Sequence, residues 1–119
     1  KIQEISYIHA EGFAGGEIKH GPIALISRGT PVIALVNEGK GKAEILSNVS
    51  ELAARGAYVI GISEKQENGY SDWIHIPGGE FVAPIVSLIP MQLIAYYLAT
   101  GRQLDPDRPR NLAKSVTVK

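Results

Sequence analysis

Two short apolar runs flanking a helical pattern constrain this 119-residue chain more than anything else in it. Pro31 to Val36 (Pro-Val-Ile-Ala-Leu-Val) is almost wholly apolar and β-prone, the composition of a strand covered on both faces. Ala57 to Ile62 repeats it. Between them, Ala43 to Arg55 places Leu46, Val49, Leu52 and Ala53 at helical spacing, and Gly56 follows as a C-terminal stop. Strand, helix and strand in that order close as a right-handed parallel crossover. The sequence therefore predicts an α/β fold, a three-layer αβα sandwich of Rossmann-like type with a parallel sheet between helices. A third strand is predicted at Trp73 to Ile76. The link from Glu64 to Ser71 is short for a parallel crossover, so its direction stays open.

The flanks are less regular. Glu4 to Ala14 reads as a helix, Gly15 and Gly16 break it, and Glu17 to Ile26 resumes a second apolar helical pattern. From Phe81 to Leu98 only Ser87 and Gln92 are clearly polar, which gives the run the look of a membrane span. Its length is at the lower limit for spanning, it lacks flanking basic clusters, and Pro84 and Pro90 interrupt it, so a buried core helix is expected. Pro84 fits a first helical turn, and Pro90 should kink or offset the helix. Asp105 to Arg110 carries two prolines and must be irregular. The expected division is residues 1–103 as most of one domain and 104–119 as an irregular tail. No internal repeat or low-complexity segment is present.

Composition narrows the function. With 45% hydrophobic and 20% charged residues the chain is of ordinary globular type. Twelve basic residues balance 12 acidic ones, so there is no electrostatic footprint for nucleic acid or an anionic membrane, and neither is expected as a partner. Any bound anion must be met locally. The absence of cysteine removes disulfides, thiol nucleophiles and thiolate metal sites together, and suits a reducing compartment, with the cytoplasm as the expected location. Lys1 to Tyr7 has no long apolar core and does not read as a secretory signal, while the missing initiator Met points to a trimmed or excised segment.

Among residues able to carry chemistry, His9-Ala-Glu11 matches half of a zinc deaminase signature, but the cysteines that chemistry needs are absent. His75 falls inside a predicted strand and reads as a packed or surface histidine. His20 precedes Gly21-Pro22 at a helix boundary, where an imidazole can serve as acid or base near neutral pH or simply satisfy backbone carbonyls. Glu4 and Glu11, seven apart, would share a helix face, as solvated carboxylates usually do. Asn37 to Lys42 follows a strand and precedes a helix, a shape that suits an anion yet is also that of a plain βα loop. The C-terminal run is too apolar for a solvated tag, with Leu112, Val116 and Val118, so it should dock and order Lys114. A lysine held in a partly dry, cationic setting becomes a nucleophilic amine; the alternative is a tail packed for stability with Lys114 exposed.

Three segments carry a resemblance. Glu4-Ile-Ser-Tyr-Ile-His-Ala-Glu11, Gly16-Glu-Ile-Lys-His-Gly-Pro22 and Pro109-Arg-Asn-Leu-Ala-Lys-Ser-Val-Thr-Val118 together resemble the C-terminal part of the glucosamine-6-phosphate synthases, the glutamine-dependent fructose-6-phosphate amidotransferase family. The similarity is colinear from Lys1 to Lys119, and its last motif is specific to that family. The isomerase half of the family is a tandem pair of sugar isomerase (SIS) domains, and the resemblance makes this chain most of the second. It implies that Lys114 forms a Schiff base with the open-chain ketose, that Glu4 moves a proton between C1 and C2, and that His20 opens the ring. Lys1 and Ala113 are implied as substrate-binding residues. The implied partners are a sugar phosphate, upstream SIS and glutaminase domains, and a second subunit whose site His20 reaches; no metal or other cofactor is implied.

Parts of the family pattern are not found. The Ser/Thr-rich loop that grips the sugar phosphate has no match, since Ile26-Ser-Arg-Gly-Thr30 is only a distant counterpart. The family's first strand and the front of its first helix would lie before Lys1. The resemblance therefore implies that this chain alone is inactive. Gly12-Phe13 and Gly15 stand where the family favours Ala and Tyr, which loosens the first helix. Alternatives are an SIS-type glucosamine-6-phosphate deaminase or deglycase using the same lysine and glutamate in reverse, a non-catalytic sugar-phosphate-binding SIS module, or an inert remnant.

Overall fold

The computed structural model describes residues 1–79 and 81–112. It divides into two compact units, Gly12–Pro90 and a second built from Lys1–Glu11 with Met91–Lys119.

The first unit holds the predicted crossover. Strand β1 (Pro31–Val36), helix α1 (Lys42–Ala54) and strand β2 (Tyr58–Ser63) follow in order, and β3 (Asp72–His75) completes a three-stranded sheet ordered β1-β2-β3. Both pairings are parallel, with Val32 opposite Val59 and Ile62 opposite Ile74. The direction of β3, open from the sequence, has a packing cause. The link 64–71 returns across the sheet without a helix because Gly61 leaves room for the Tyr70 ring. Ser71 then ties down on β2, its N–H bonding the Val59 carbonyl at 2.7 Å and its Oγ accepting the Val59 N–H at 3.1 Å.

Helix α1 buries the face its spacing predicts. Val49 and Leu52 pack with Ala34 and Val36 of β1, Ala57, and Val59 of β2. Fully burying a side chain of the size of Val49 or Val59 contributes about 1.5–3 kcal/mol. Gly56 stops the helix at φ 91°, in the left-handed region that glycine enters freely. The expected cover on both faces of β1 is not met: Leu35 is 41% exposed, because its side of the sheet lies opposite α1.

In place of the helix expected from Glu17 to Ile26 there are two 3₁₀ turns, Gly15–His20 and Pro22–Leu25. The reason is the Gly21-Pro22 pair: Gly21 turns the chain at φ 149°, and Pro22 has no N–H to continue a helical ladder. The turns still deliver Ile18, Ile23 and Ile26 to the core. Asn48, 4% exposed, donates from Nδ2 to the Gly15 carbonyl at 2.8 Å, and Lys19 pairs with Glu51 at 2.6 Å, so α1 holds the first turn in place.

The second unit is a smaller cluster. Ile5 packs with Ala95 and Ala99, and Ile2 and Leu104 close its rim. The helix expected from Glu4 to Ala14 is only a single wide π-type turn, Ile2–Ser6. Tyr7 ends it in the left-handed region at φ 57°, its N–H bonding the Gln3 carbonyl at 3.2 Å. Ser6 Oγ bonds back to the Ile2 carbonyl at 2.7 Å, a local competitor of helix propagation, and the glycines at 12, 15 and 16 disfavour its restart. Residues 105–112 are irregular, as predicted, turning where Asp105 accepts the N–H groups of Asp107 and Arg108.

The apolar run forms α2 (Ala83–Val86) and α3 (Leu88–Gly101), separated at Ser87. Pro84 sits in the first turn of α2 and Pro90 in the first turn of α3, where neither missing N–H costs a hydrogen bond. The expected burial is not found. Ala95 and Ala99 are fully buried, but Ile85, Ile89 and Tyr97 are 69%, 58% and 66% exposed, because nothing among the described residues covers that face. By length and composition Ala83–Gly101 is long and apolar enough to cross a membrane.

Candidate functional site

The wide turn Ile2–Ser6 buries Ile5 and Ser6, which leaves Lys1 and Glu4 facing outward. Their side chains meet, Lys1 Nζ donating to Glu4 Oε1 at 2.8 Å. That hydrogen bond lowers the Glu4 carboxyl from its ordinary value and favours its charged form. Beside them Tyr7 receives the far end of the chain. The Arg110 guanidinium lies over the Tyr7 ring, 4.1 Å from its centroid, and the Arg110 backbone N–H donates to Tyr7 Oη at 2.8 Å.

These contacts border a shallow, open depression of about 460 Å³ lined by Lys1, Glu4 and Tyr7 together with Arg110, Asn111 and Leu112. The depression thus gathers one carboxylate, paired with Lys1, and the Arg110 side chain. Lys114 and Ala113 lie outside the described residues. Leu112, on the cavity wall, is two residues from Lys114 in sequence, about 7 Å of extended chain.

His20 ends a 3₁₀ turn and is exposed, within the unit Gly12–Pro90, whereas Lys1 and Glu4 belong to the other. Glu11 does not share a helix face with Glu4, because Tyr7 ends the turn; it pairs instead with His9 at 3.2 Å. His75 closes β3, edge-on to Trp73 with ring centroids 5.6 Å apart. In the loop 37–42, Lys42 pairs with Glu38 at 2.6 Å and Glu67 at 2.7 Å. Hydrogen bonds to Glu38 and then Glu67 hold its ammonium well above the ordinary range. Among the described residues no three His, Asp or Glu side chains converge as metal ligands.

Sequence reasoning passes over the pairing of Tyr7 with Arg110. They are 103 residues apart, and only the matched motifs that contain them bring both segments to attention.

Lys1→Met is expected to raise the Glu4 carboxyl toward its ordinary value. The ammonium hydrogen bond favours the charged form, so its loss removes the largest cause of the lowering. A carbon-13 titration of the Glu4 carboxyl that is the same in both proteins would contradict this.

The chain belongs to the SIS domain family, which matches residues 1–102. Its similarities are more particular than that. It is 56% identical over 99% of its length to the glutamine–fructose-6-phosphate aminotransferase (isomerizing) of Oceanobacillus iheyensis, and 46% identical over the same share to that of Methanosarcina acetivorans. In each case it spans 20% of the relative's length. Among solved structures, the C-terminal domain of glucosamine-fructose-6-phosphate aminotransferase from Francisella tularensis matches with a TM-score of 0.83 and 38% identity, covering 91% of this chain and 32% of that one. Glucosamine-6-phosphate deaminase from Thermotoga maritima matches with a TM-score of 0.75 and 26% identity, covering 97% and 34%. The α/β fold with a parallel sheet is that of the SIS C-terminal domain, and the chain is homologous to the isomerase-domain region of these enzymes.

Proposed function

We propose that this chain is part of the isomerase half of a glutamine–fructose-6-phosphate aminotransferase, which converts fructose 6-phosphate and ammonia from glutamine into glucosamine 6-phosphate. Residues 1–103 are then most of one SIS domain, and 104–119 form the tail that brings in the reactive lysine. The Lys114 amine adds to the open-chain ketose at C2 and expels water, giving an iminium that acidifies the C1 hydrogens. Ammonia displaces the lysine at that carbon, and the Glu4 carboxylate carries a proton from C1 to C2. His20 opens the sugar ring from a partner subunit, while Lys1 and Ala113 bind substrate. Phosphate grip and ammonia supply come from the upstream SIS and glutaminase domains of the longer polypeptide, so the 119-residue chain is inactive alone. A cytoplasmic homodimer is part of the same reading.

The observation that carries this proposal is that Lys1 and Glu4 line one open depression together with Arg110, Asn111 and Leu112 of the matched C-terminal motif. Borohydride trapping of the full-length polypeptide with fructose 6-phosphate, followed by peptide mapping, is expected to label Lys114. Label on Lys1 or Lys19 with none on Lys114 would overturn the assignment. The likeness to the Thermotoga maritima deaminase supports a second reading, in which the same lysine and glutamate run in reverse. Ammonia release from glucosamine 6-phosphate, with no synthesis from glutamine, would select it.

A further inference from the structure

We propose that Arg102 is a positioning residue for the proposed reaction, holding from the end of α3 the turn that carries Glu4. The inference rests on the reading of Glu4 as the group that moves a proton between C1 and C2. Its basis is a hydrogen bond spanning 96 residues, in which Arg102 Nη1 donates to the Ser6 carbonyl at 2.7 Å.

That carbonyl needs a donor from elsewhere. Tyr7 ends the turn at φ 57°, so no later N–H of a continued helix reaches Ser6. Ser6 is also wholly buried, out of reach of water. Among the described residues no backbone N–H bonds its carbonyl, and the guanidinium supplies a charged donor. Without Arg102 a carbonyl sealed from water would stand unpaired, and the turn would shift to find a donor.

Both ends of the contact are themselves fixed. On the α3 side, Gln103 enters the left-handed region at φ 60° and its N–H bonds the Thr100 carbonyl at 2.9 Å, while the Leu104 N–H bonds the Ala99 carbonyl at 2.9 Å. This pair of bonds is the Schellman closure of a helix, and it sets the place from which Arg102 leaves α3. On the other side, Ile5 packs against Ala95 and Ala99, which lie four apart on one face of α3. Their small side chains let the turn come close. Apolar contact of this kind has no preferred direction, so it fixes the separation of turn and helix but not the rotation of the turn. The Arg102 bond to the main chain supplies that rotation, and Glu4, one residue before Ile5, inherits it. Arg102 itself does not line the depression, so its effect on the chemistry passes through the turn.

The test uses the full-length polypeptide. Arg102→Met keeps the length of the side chain and loses the donors. It is expected to lower kcat and the rate of hydrogen exchange between solvent and the substrate carbon together by about tenfold, the scale of a misplaced reacting group. KM for fructose 6-phosphate should change little, since phosphate grip is assigned to the upstream domain. The acid limb set by Glu4 should stay in place, because its partner Lys1 moves with the same turn. Arg102→Lys retains a charged donor and should recover most of both rates. Arg102 is exposed, so both variants are expected to fold. Should Arg102→Met fail to do so, Arg102→Gln, with N–H groups on a shorter stem, takes its place with the same expected losses. Parental exchange and kcat in the folded variant would refute the positioning role alone, as would an acid limb that moves with the substitution. Exchange that persists in Glu4→Gln would instead refute the reading of Glu4 on which the role depends.

Discussion

Glu4→Gln in the full-length polypeptide is expected to lower turnover with fructose 6-phosphate by about two to four powers of ten, the usual contribution of a positioned general base. Substrate binding should be nearly intact. The amide oxygen of the variant can still accept the Lys1 ammonium, now 2.8 Å from the carboxylate, so the turn and the cavity wall keep their shape. In the proposed mechanism, what is lost is the proton acceptor. Hydrogen exchange between solvent and the substrate carbon should vanish with turnover, and exchange that persists in the variant would assign the base to another group. Lys1 lowers the Glu4 carboxyl, so the acid limb set by this group is expected at lower pH in the parent than in Lys1→Met. Activity governed by this group is present above that limb and falls as pH drops through it.

The largest expected effect on stability is at Gly61. A Cβ at that position would fall on the Tyr70 ring, against strand β2. The ring would have to leave its place beside β2 on the link that precedes β3, and overpacking of this kind costs about 1–3 kcal/mol. Gly61→Ala should therefore lower the unfolding free energy by that amount in chemical denaturation. At Gly12 the same change meets nothing within 4 Å, and less than about 0.5 kcal/mol is expected. Equal midpoints for the two variants would mean that Tyr70 does not fill the space over Gly61 in solution.

These two positions mark where sequence reasoning reached and where it stopped. The limits of β1 and the buried face of α1 were legible because their cause is local: a six-residue apolar run, and Val49 and Leu52 at helical spacing. The direction of β3 was not, because it depends on Tyr70 lying over Gly61, a fit that no periodicity encodes. The first two helices were overestimated for the opposite reason. Apolar spacing from Glu4 to Ala14 and from Glu17 to Ile26 is helical, but Tyr7 at positive φ and the Gly21-Pro22 pair override it residue by residue. For α3, the apolar run located the helix, but the burial expected of it is not met, since Ile89 and Tyr97 stand exposed. In the site, Lys1 and Glu4 came from matched motifs, and their ion pair follows from a separation of three residues. The cavity itself was not readable, since its walls come from segments with no shared local pattern.

The separation between those walls has a consequence for the order of events during synthesis. Tyr7 and Arg110 stand 103 residues apart and Arg102 reaches back 96 residues to Ser6, so the cavity closes a loop that spans nearly the whole chain. Closing a flexible loop of that length costs about 4 kcal/mol of chain entropy beyond a constant. Strands β1 and β2 and helix α1 pair over far shorter spans and can assemble while the tail is still within the ribosome. The turn bearing Glu4 is translated ahead of all three elements and meets Arg110 only after them. A polypeptide released before Arg110 would keep this sheet and lack the second side of the depression, which therefore forms only after β1, α1 and β2 have been made.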